Sequence, residues 1–542
     1  MKRFWKDGDP WIWLTGGTLA VCLIFVAGLV FLITVSGMGI FWPQEILRFT
    51  LADGKTVLGS IAQSEPMPKS AKPGSADPGR RIQVKQGNRD QDLNAGVDFV
   101  WIDESKITGR DVVPEAVLVE RREWGNLFGT IKEVRVDGKP IAQGPEKGLE
   151  AILVRMPAAR AQADKIESLQ KRDIGAVNRS QDRIRLQLKG LALEGTASGP
   201  AVDRLQAQMK PLDEQYAQLA QKLTDLRKVK TGTVLFGIEG GKEKELDIEN
   251  IVRIIEPNRM GLFSKAGCYL SRLWEFLVDD PRESNTEGGV FPAIFGTVMM
   301  VLLMSLFVTP LGILAALYLR EYAKQGTFVS LVRIAVNNLA GVPSIVFGVF
   351  GMGFFIYRIG GSIDRLFFSE SLPTPTFGTG GILWASLTLA LMTVPVVIVA
   401  TEEGLAAIPK NLREGSLALG ATKWETTWRV ILPALAPSIL TGLILAMARA
   451  AGEVAPLMIT GVVKLAPSMP LDGQFPFLHM DRKFMHLGFH IYDVGFQSPN
   501  VDAARPMVFT TTLLLLVIVV ALNLTAIVLR RRLRRKFQMS AV

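Results

Sequence analysis

Cysteine and histidine are nearly missing from this chain of 542 residues: Cys22 and Cys268 are its two cysteines, and His479, His486 and His490 its three histidines. Two cysteines cannot build a disulfide scaffold, and Cys22 lies inside an apolar run. The histidines, seven and four residues apart with Asp472, Asp481 and Asp493 nearby, are the one grouping that raises the question of a metal. A loop packed over the mouth of a helix bundle is the better reading. No G-x-x-x-x-G-K-[ST] phosphate loop occurs, so hydrolysis of ATP by that device is not expected of this chain. Catalytic triads find no foothold either.

What the chain has is apolar length. A membrane-spanning helix needs about 20 mostly apolar residues, and six stretches qualify: Trp11–Ile40, Val290–Leu319, Phe328–Tyr357, Gly380–Ala400, Ala434–Ile459 and Met507–Leu529. The first follows Lys2, Arg3 and Lys6 as a signal peptide would, but it far exceeds the usual ~7–15 apolar residues of one. It is expected to stay as an anchor. Six spans put both termini on one side. The short segments of that side carry fifteen Lys and Arg, nine of them in Lys2, Arg3, Lys6 and the tail from Arg530 to Lys536; the opposite short segments carry six. The basic side is expected to be cytoplasmic. The net charge of +10 therefore reads as membrane topology and not as nucleic-acid binding.

The polar stretch between the first two spans is expected outside, giving four regions: 1–42, an insert over 43–288, a membrane domain over 289–530 and a basic tail over 531–542. Within the insert, extended runs surround Asp53-Gly54, a hairpin signal. A loop rich in Pro, Ser, Gly and Lys covers Ser64–Arg80. Further extended runs follow at Gly96–Ile102, Ala116–Arg121 and Thr130–Val136, the last turning at Asp137-Gly138. From about 149 to 230 the pattern becomes helical, broken at Gly195–Pro200. There Val202, Leu205, Met209, Leu212, Tyr216, Leu219, Leu223 and Leu226 recur at alternating spacings of three and four, a coiled-coil seam that Pro211 is expected to kink. The first half folds back on it as a helical hairpin. Strand signals resume at Thr233–Ile238 and Leu246–Ile255.

Between the fourth and fifth spans stands Glu414-Gly-Ser-Leu-Ala-Leu-Gly420, followed by Trp424, Trp428, Val430 and Leu432-Pro433. Gly420 offers a helix stop. Trp424, Thr427, Trp428 and Ile431 then give a second short helix an apolar face, suited to insertion into a groove on a partner or to lying on lipid. This segment resembles the EAA loop of ABC importer permeases, with Glu414, Gly420, Leu432 and Pro433 at matching positions; Gly415-Ser416 and Val430 depart from it. Pro281–Thr297, Tyr318–Tyr322 and Asn338–Gly348 resemble the phosphate-specific importers among these permeases. Thr401–Pro409, Ala448–Leu457 and His490–Pro499 resemble their PstA subunits.

The resemblance implies an α-helical integral membrane protein, a six-span type I ABC importer bundle carrying an α+β extracytoplasmic insert with a coiled-coil hairpin. It implies the bacterial inner membrane and a subunit without bond chemistry of its own. Its partners would be a PstC-like second permease in a heterodimer, two PstB-like ATPases that hold ATP and Mg, and a PstS-like phosphate-binding protein outside. No cofactor is expected on this chain. The segment from 414 to 433 would couple ATPase motion to the spans through Glu414, Gly420, Trp424, Trp428, Leu432 and Pro433.

Ionisable side chains within a span are costly, and are functional candidates for that reason. Arg449 and Glu453 stand four apart in the fifth span, and Arg333 and Asn337 four apart in the third. Arg449 could offer a guanidinium fork to phosphate, and Glu453 could accept the proton of monoprotonated phosphate, which sulfate does not carry at neutral pH. Mutual neutralisation of Arg449 and Glu453 is the plainer alternative. Asn337 is a third pathway candidate, Arg333 is expected to snorkel to the cytoplasmic face, and Glu402 with Glu403 to be a solvated pair. The competing functions are a permease for molybdate or sulfate, and a membrane sensor with an outer ligand domain.

Overall fold

The computed structural model describes residues 9–67, 79–90, 99–196, 198–282, 285–498 and 501–539. Among the described residues, six helical segments are long and apolar enough to cross a membrane: Trp11–Phe41, Phe291–Tyr322, Ser344–Phe367, Ile382–Ala407, Lys423–Gly452 and Ala504–Arg532. The fold is therefore a helical membrane domain with a β-rich insert between its first and second spans.

After helix α1 (Asp9–Met38), the insert opens with strands β1 (Leu47–Leu51), β2 (Thr56–Pro66), β3 (Arg80–Lys85), β4 (Phe99–Asp103) and β5 (Ile107–Val112). They form an antiparallel sheet in the order β4-β3-β2-β1-β5, with Phe49 opposite Val57 and Arg110. The expected 64–80 loop is shorter than read, because β2 runs to Pro66; residues 68–78 and 91–98 lie outside the described ones. A second sheet contains β6 (Val117–Arg121), β7 (Leu127–Val136), β8 (Lys139–Gln143), β9 (Thr233–Gly237), β10 (Glu243–Asp247) and β11 (Ile251–Ile255), in the order β10-β9-β7-β6-β11 with β8 beside β7. The run read as one strand over 246–255 is two, at opposite edges of this sheet. Asp137 and Gly138 both take positive φ, as the tight β7–β8 turn requires. Val134, Ile152, Met156, Val234 and Phe236 seal this sheet against the helix that follows.

That helix, α2 (Pro145–Ser168), passes through a wide turn at Leu169–Ile174 into α3 (Gly175–Leu193), and α4 (Pro200–Lys228) returns alongside. Pro211 does not interrupt α4. Gln181 donates to Asp213 (2.7 Å) and Gln162 to the Leu226 carbonyl (2.9 Å), tying the arms together. The far end of α3 touches the membrane domain, where Lys189 donates to the Leu372 carbonyl. A helix that the strand-and-hairpin reading missed, α5 (Leu262–Val278), leads to the second span.

The membrane domain continues with α6 (Phe291–Leu317), α7 (Thr327–Leu339), α8 (Ser344–Phe350), which extends through a wide-turn segment into α9 (Gly361–Phe367), and α10 (Ile382–Ala407). Then come α11 (Lys410–Ala418), α12 (Lys423–Thr426), α13 (Leu432–Gly452), α14 (Ala455–Thr460), α15 (Leu487–Tyr492) and α16 (Val501–Met539). The fourth span, α10, is the most covered, with 67% of its central window buried. Membrane helices have no hydrophobic drive toward one another and pack through small residues. A Cβ on Gly312 of α6 would stand 2.5 Å from Val397 Cγ1, and one on Gly442 of α13 would stand 2.8 Å from Ala400 Cβ. Met300, Met304, Leu389, Met392 and Ala446 fill the core between these helices. At the edge, Thr510 of α16 donates to the Gly37 carbonyl of α1 (2.7 Å).

Two spans differ from the sequence reading. The third begins at Ser344, not Phe328, and α7 is a separate short helix before it. The fifth runs from Lys423 to Gly452 and stops before Glu453, which is extended at φ −83°, ψ 134°. In each case a proline four residues on, Pro343 after Leu339 and Pro456 after Gly452, has no amide for the last helical carbonyl. Arg333 and Asn337 consequently sit on α7, outside the third span.

Because overpacking costs about 1–3 kcal/mol, Gly442→Leu should lower the melting temperature of the detergent-solubilised chain. Gly28→Leu, where an added Cβ meets nothing within 4 Å, should leave it unchanged.

Candidate functional site

Two places in the membrane domain gather the residues singled out by sequence. The first is the turn between the fourth and fifth spans, on the face opposite the insert. The short helix α11 ends as its sequence demands. The Gly420 amide reaches back to the Leu417 carbonyl (3.0 Å), and Gly420 itself takes φ +85°, the left-handed conformation in which glycine closes a helix. A capping box then starts α12: Thr422 accepts from the Glu425 amide while Glu425 accepts from the Thr422 amide. A wide turn at Thr427–Ile431 carries the chain into α13. It ends two residues before Pro433, which has no amide for the Arg429 carbonyl.

The resulting elbow is held from below. Thr426, Thr427 and Ile431 are buried, and Ser416 and Thr426 share a hydroxyl hydrogen bond (2.9 Å). Arg413 pairs with Glu321 at the end of the second span (2.9 Å) and donates to the Leu405 and Ile408 carbonyls. Lys423 lies 4.9 Å above the Tyr322 ring. What the elbow presents outward is aromatic: Trp424 and Trp428 stack at 5.7 Å, 60% and 57% exposed, beside the protruding Leu419. Glu414 is exposed on α11, and Leu432 and Pro433 are half-buried where α13 begins. The four residues expected to share one apolar face therefore divide. The tryptophans, four apart, face out; Thr427 and Ile431, also four apart, face in.

The second place is where two helices break side by side. Beyond their gaps α8 and α14 pack closely: a Cβ on Gly348 would lie 2.8 Å from Pro456 Cα. Arg449, in the last turn of α13, spans both gaps. Its Nη1 and Nη2 each lie 3.5 Å from the Ala340 carbonyl, and its Nε lies 3.7 Å from Glu453 Oε1. Cationic charge in the last turn of a helix suits the dipole. These contacts are long for a group with five donors, and the guanidinium remains 32% exposed, so capacity for a further acceptor is left. Asn337 is exposed on α7 and, among the described residues, has no hydrogen bond to Arg449.

Arg333 reaches toward the elbow side of the membrane domain. It pairs with Glu402 (3.2 Å) and donates to Gln325 and the Leu319 carbonyl, fastening α7 to the ends of the second and fourth spans. Glu402 is thus a partner of Arg333, while Glu403 is exposed.

The histidines split as well. His479 and Arg482 share Asp472, at 3.1 and 2.6 Å. Partial burial pushes the Asp472 carboxyl up, but Arg482, the Gln474 amide and His479 together bring it down to about 2. His486 and His490 are fully enclosed, and burial pushes them down to about 3 and about 4. Among the described residues, no three of His, Cys, Asp and Glu stand together as metal ligands would.

Residues 308–538 match the family described as the binding-protein-dependent transport system inner membrane component. The probable ABC transporter permease protein YqgH of Bacillus subtilis is 34% identical over 36% of this chain and 62% of its own length. The phosphate transport system permease protein PstA of Yersinia pestis is 36% identical over 34% of this chain and 56% of its own. The chain thus spans less than two thirds of these two relatives. A solved structure, the MetNI methionine ABC transporter in inward-facing conformations, aligns at 18% identity with a TM-score of 0.32, covering 44% of this chain and 94% of that one. The exposed elbow and the paired helix break both fall inside the stretch that matches this family.

Proposed function

We propose that this chain is the membrane-spanning permease subunit of an ATP-driven importer of inorganic phosphate. The observation that carries the reading is the elbow: two stacked tryptophans exposed on a helix–glycine–helix turn that is fastened to the ends of the second, fourth and fifth spans. A separate ATPase, holding ATP and Mg, grips this surface, and its closure tilts those spans so that the path opens alternately to either side. Support for phosphate comes from the relatives named as phosphate permeases. The bias of Lys and Arg toward the side of the termini supports a cytoplasmic elbow and an outer insert, in a bacterial inner membrane. The remaining partners are a second, PstC-like permease and a PstS-like binding protein outside.

Arg449 and Glu453 are the substrate contacts in this reading. Phosphate passing the paired break takes the guanidinium as a fork. Glu453 then accepts a hydrogen bond from the P–O–H of monoprotonated phosphate, the proton staying on phosphate, and turns away sulfate, whose unprotonated oxygens would face the carboxylate with a like charge.

Reintroducing the chain into a strain that lacks it should restore uptake of labelled phosphate, with excess sulfate or molybdate failing to compete. Arg449→Ala should cut that uptake by about 10–100-fold, the loss expected of a charge-assisted hydrogen bond worth roughly 1.5–3 kcal/mol. The ATPase should still co-purify, and undiminished uptake would remove Arg449 from the path. Glu453→Gln should narrow the preference for phosphate over sulfate, read by the same competition. Gly420→Ala adds no clash but places a side chain at positive φ, a strain of about 1–2 kcal/mol. Transport-linked ATP hydrolysis should fall several-fold in it, and normal coupling would count against the elbow.

A further inference from the structure

The helix α5 is apolar on two sides: Tyr269, Leu273, Phe276 and Leu277 pack against the protein, and a second apolar set faces away from it. Its charged Arg272 and Glu275 also face the protein: Arg272 pairs with Glu120 (2.8 Å) and donates to the Phe41 carbonyl (3.2 Å), and Glu275 pairs with Arg253. Among the described residues, the second set is unpartnered. Phe263, Leu270, Trp274 and Val278 are 93, 63, 66 and 45% exposed. With Gly267 they recur at spacings of four, three, four and four, which places them in one stripe along the helix. Leu262 adds a sixth exposed position beside the stripe.

The level of this helix is set by the spans. Phe41, at the end of the first span, lies 5.3 Å from the Phe276 ring and 6.2 Å from that of Tyr269. Val290, immediately before the second span, donates its amide to the Phe276 carbonyl (2.9 Å). The stripe is thus fixed where the first two spans leave the hydrocarbon. The first span that leads into Phe41 is likewise exposed, Phe25 and Phe31 at 74 and 70%. A Trp and a Phe at that height match the aromatic belt of membrane proteins.

We propose that α5 is an interfacial helix, its Phe263–Trp274 stripe seated in the headgroup and upper acyl region of the leaflet on the insert's side, so that lipid carries the base of the insert. The inference needs the six spans alone and is independent of what is transported. It is tested on the full chain with Cys22→Ser and Cys268→Ser, bearing single cysteines as Phe263→Cys, Leu270→Cys or Trp274→Cys, each labelled with bimane. The chain is placed in vesicles of phosphatidylethanolamine and phosphatidylglycerol containing a lipid with a nitroxide near the top of its acyl chain. Labels on the stripe should be quenched at least about twofold more than one at Val112→Cys, an exposed position on the insert's first sheet, as immersion to roughly 5–10 Å demands. Phe263, almost wholly exposed, can be replaced without disturbing packing, so its variant reads out even if Trp274→Cys fails to fold. Quenching no greater than at Val112, or quenching abolished by co-expressing the second permease subunit, would overturn the inference: the stripe would then face water or protein.

Discussion

Hydrocarbon offers a backbone amide or carbonyl no partner, and each one left unpaired costs several kcal/mol. The membrane domain is organised around that penalty. Its spans are helical nearly throughout, and both interruptions, at Ala340–Pro343 and at Glu453-Val454, are placed where they face one another. The carbonyl released at the first, Ala340, lies 3.5 Å from Arg449, which emerges from the helix that ends at the second. One guanidinium therefore meets the backbone at the first break and the Glu453 side chain, 3.7 Å away, at the second. Gly341 and Pro343 are exposed at the first break, so backbone and charge there are open to a solute, and the element that joins the breaks and the element proposed to meet the anion coincide.

Much of the architecture was legible because its signals are periodic or conformational. Apolar length located six spans, the Asp53-Gly54 and Asp137-Gly138 pairs marked their hairpins, and Gly420 marked its stop, where φ is +85°. The third span was read too early because hydropathy averages over Phe328–Leu339, an amphipathic helix whose Arg333 is fastened to Glu402. Pro343, four residues past Leu339, held the missing information, as did Pro456 past Gly452. Proline alone does not decide, since Pro211, Pro310 and Pro395 lie within continuous helices.

Other features depend on pairings that no local pattern encodes. Trp424 and Thr427 are equally consistent with one apolar face; that one points out and the other in follows from Tyr322, Ser416 and the widened turn. The stripe of α5 was present in the sequence at helical spacing, yet its burial of charge and exposure of apolar groups requires Glu120 and Arg253 from a distant sheet. Arg449 was recognisable as an ionisable residue in a span, but its reach to Ala340 joins positions more than a hundred residues apart.

The helical hairpin of the insert meets the membrane domain at Leu372, in the connection between the third and fourth spans, while the base of the insert is bound to the first two spans through Phe41 and Phe276. Such a doubly anchored body is a strut. If the outer ends of the spans part, it must flex, slide or let go, and the wide turn at Leu169–Ile174 is the place along it where helical hydrogen bonding is least regular. In the transport cycle proposed above, the insert would oppose the separation of one pair of spans from the other, and its stiffness would enter the work of opening the bundle.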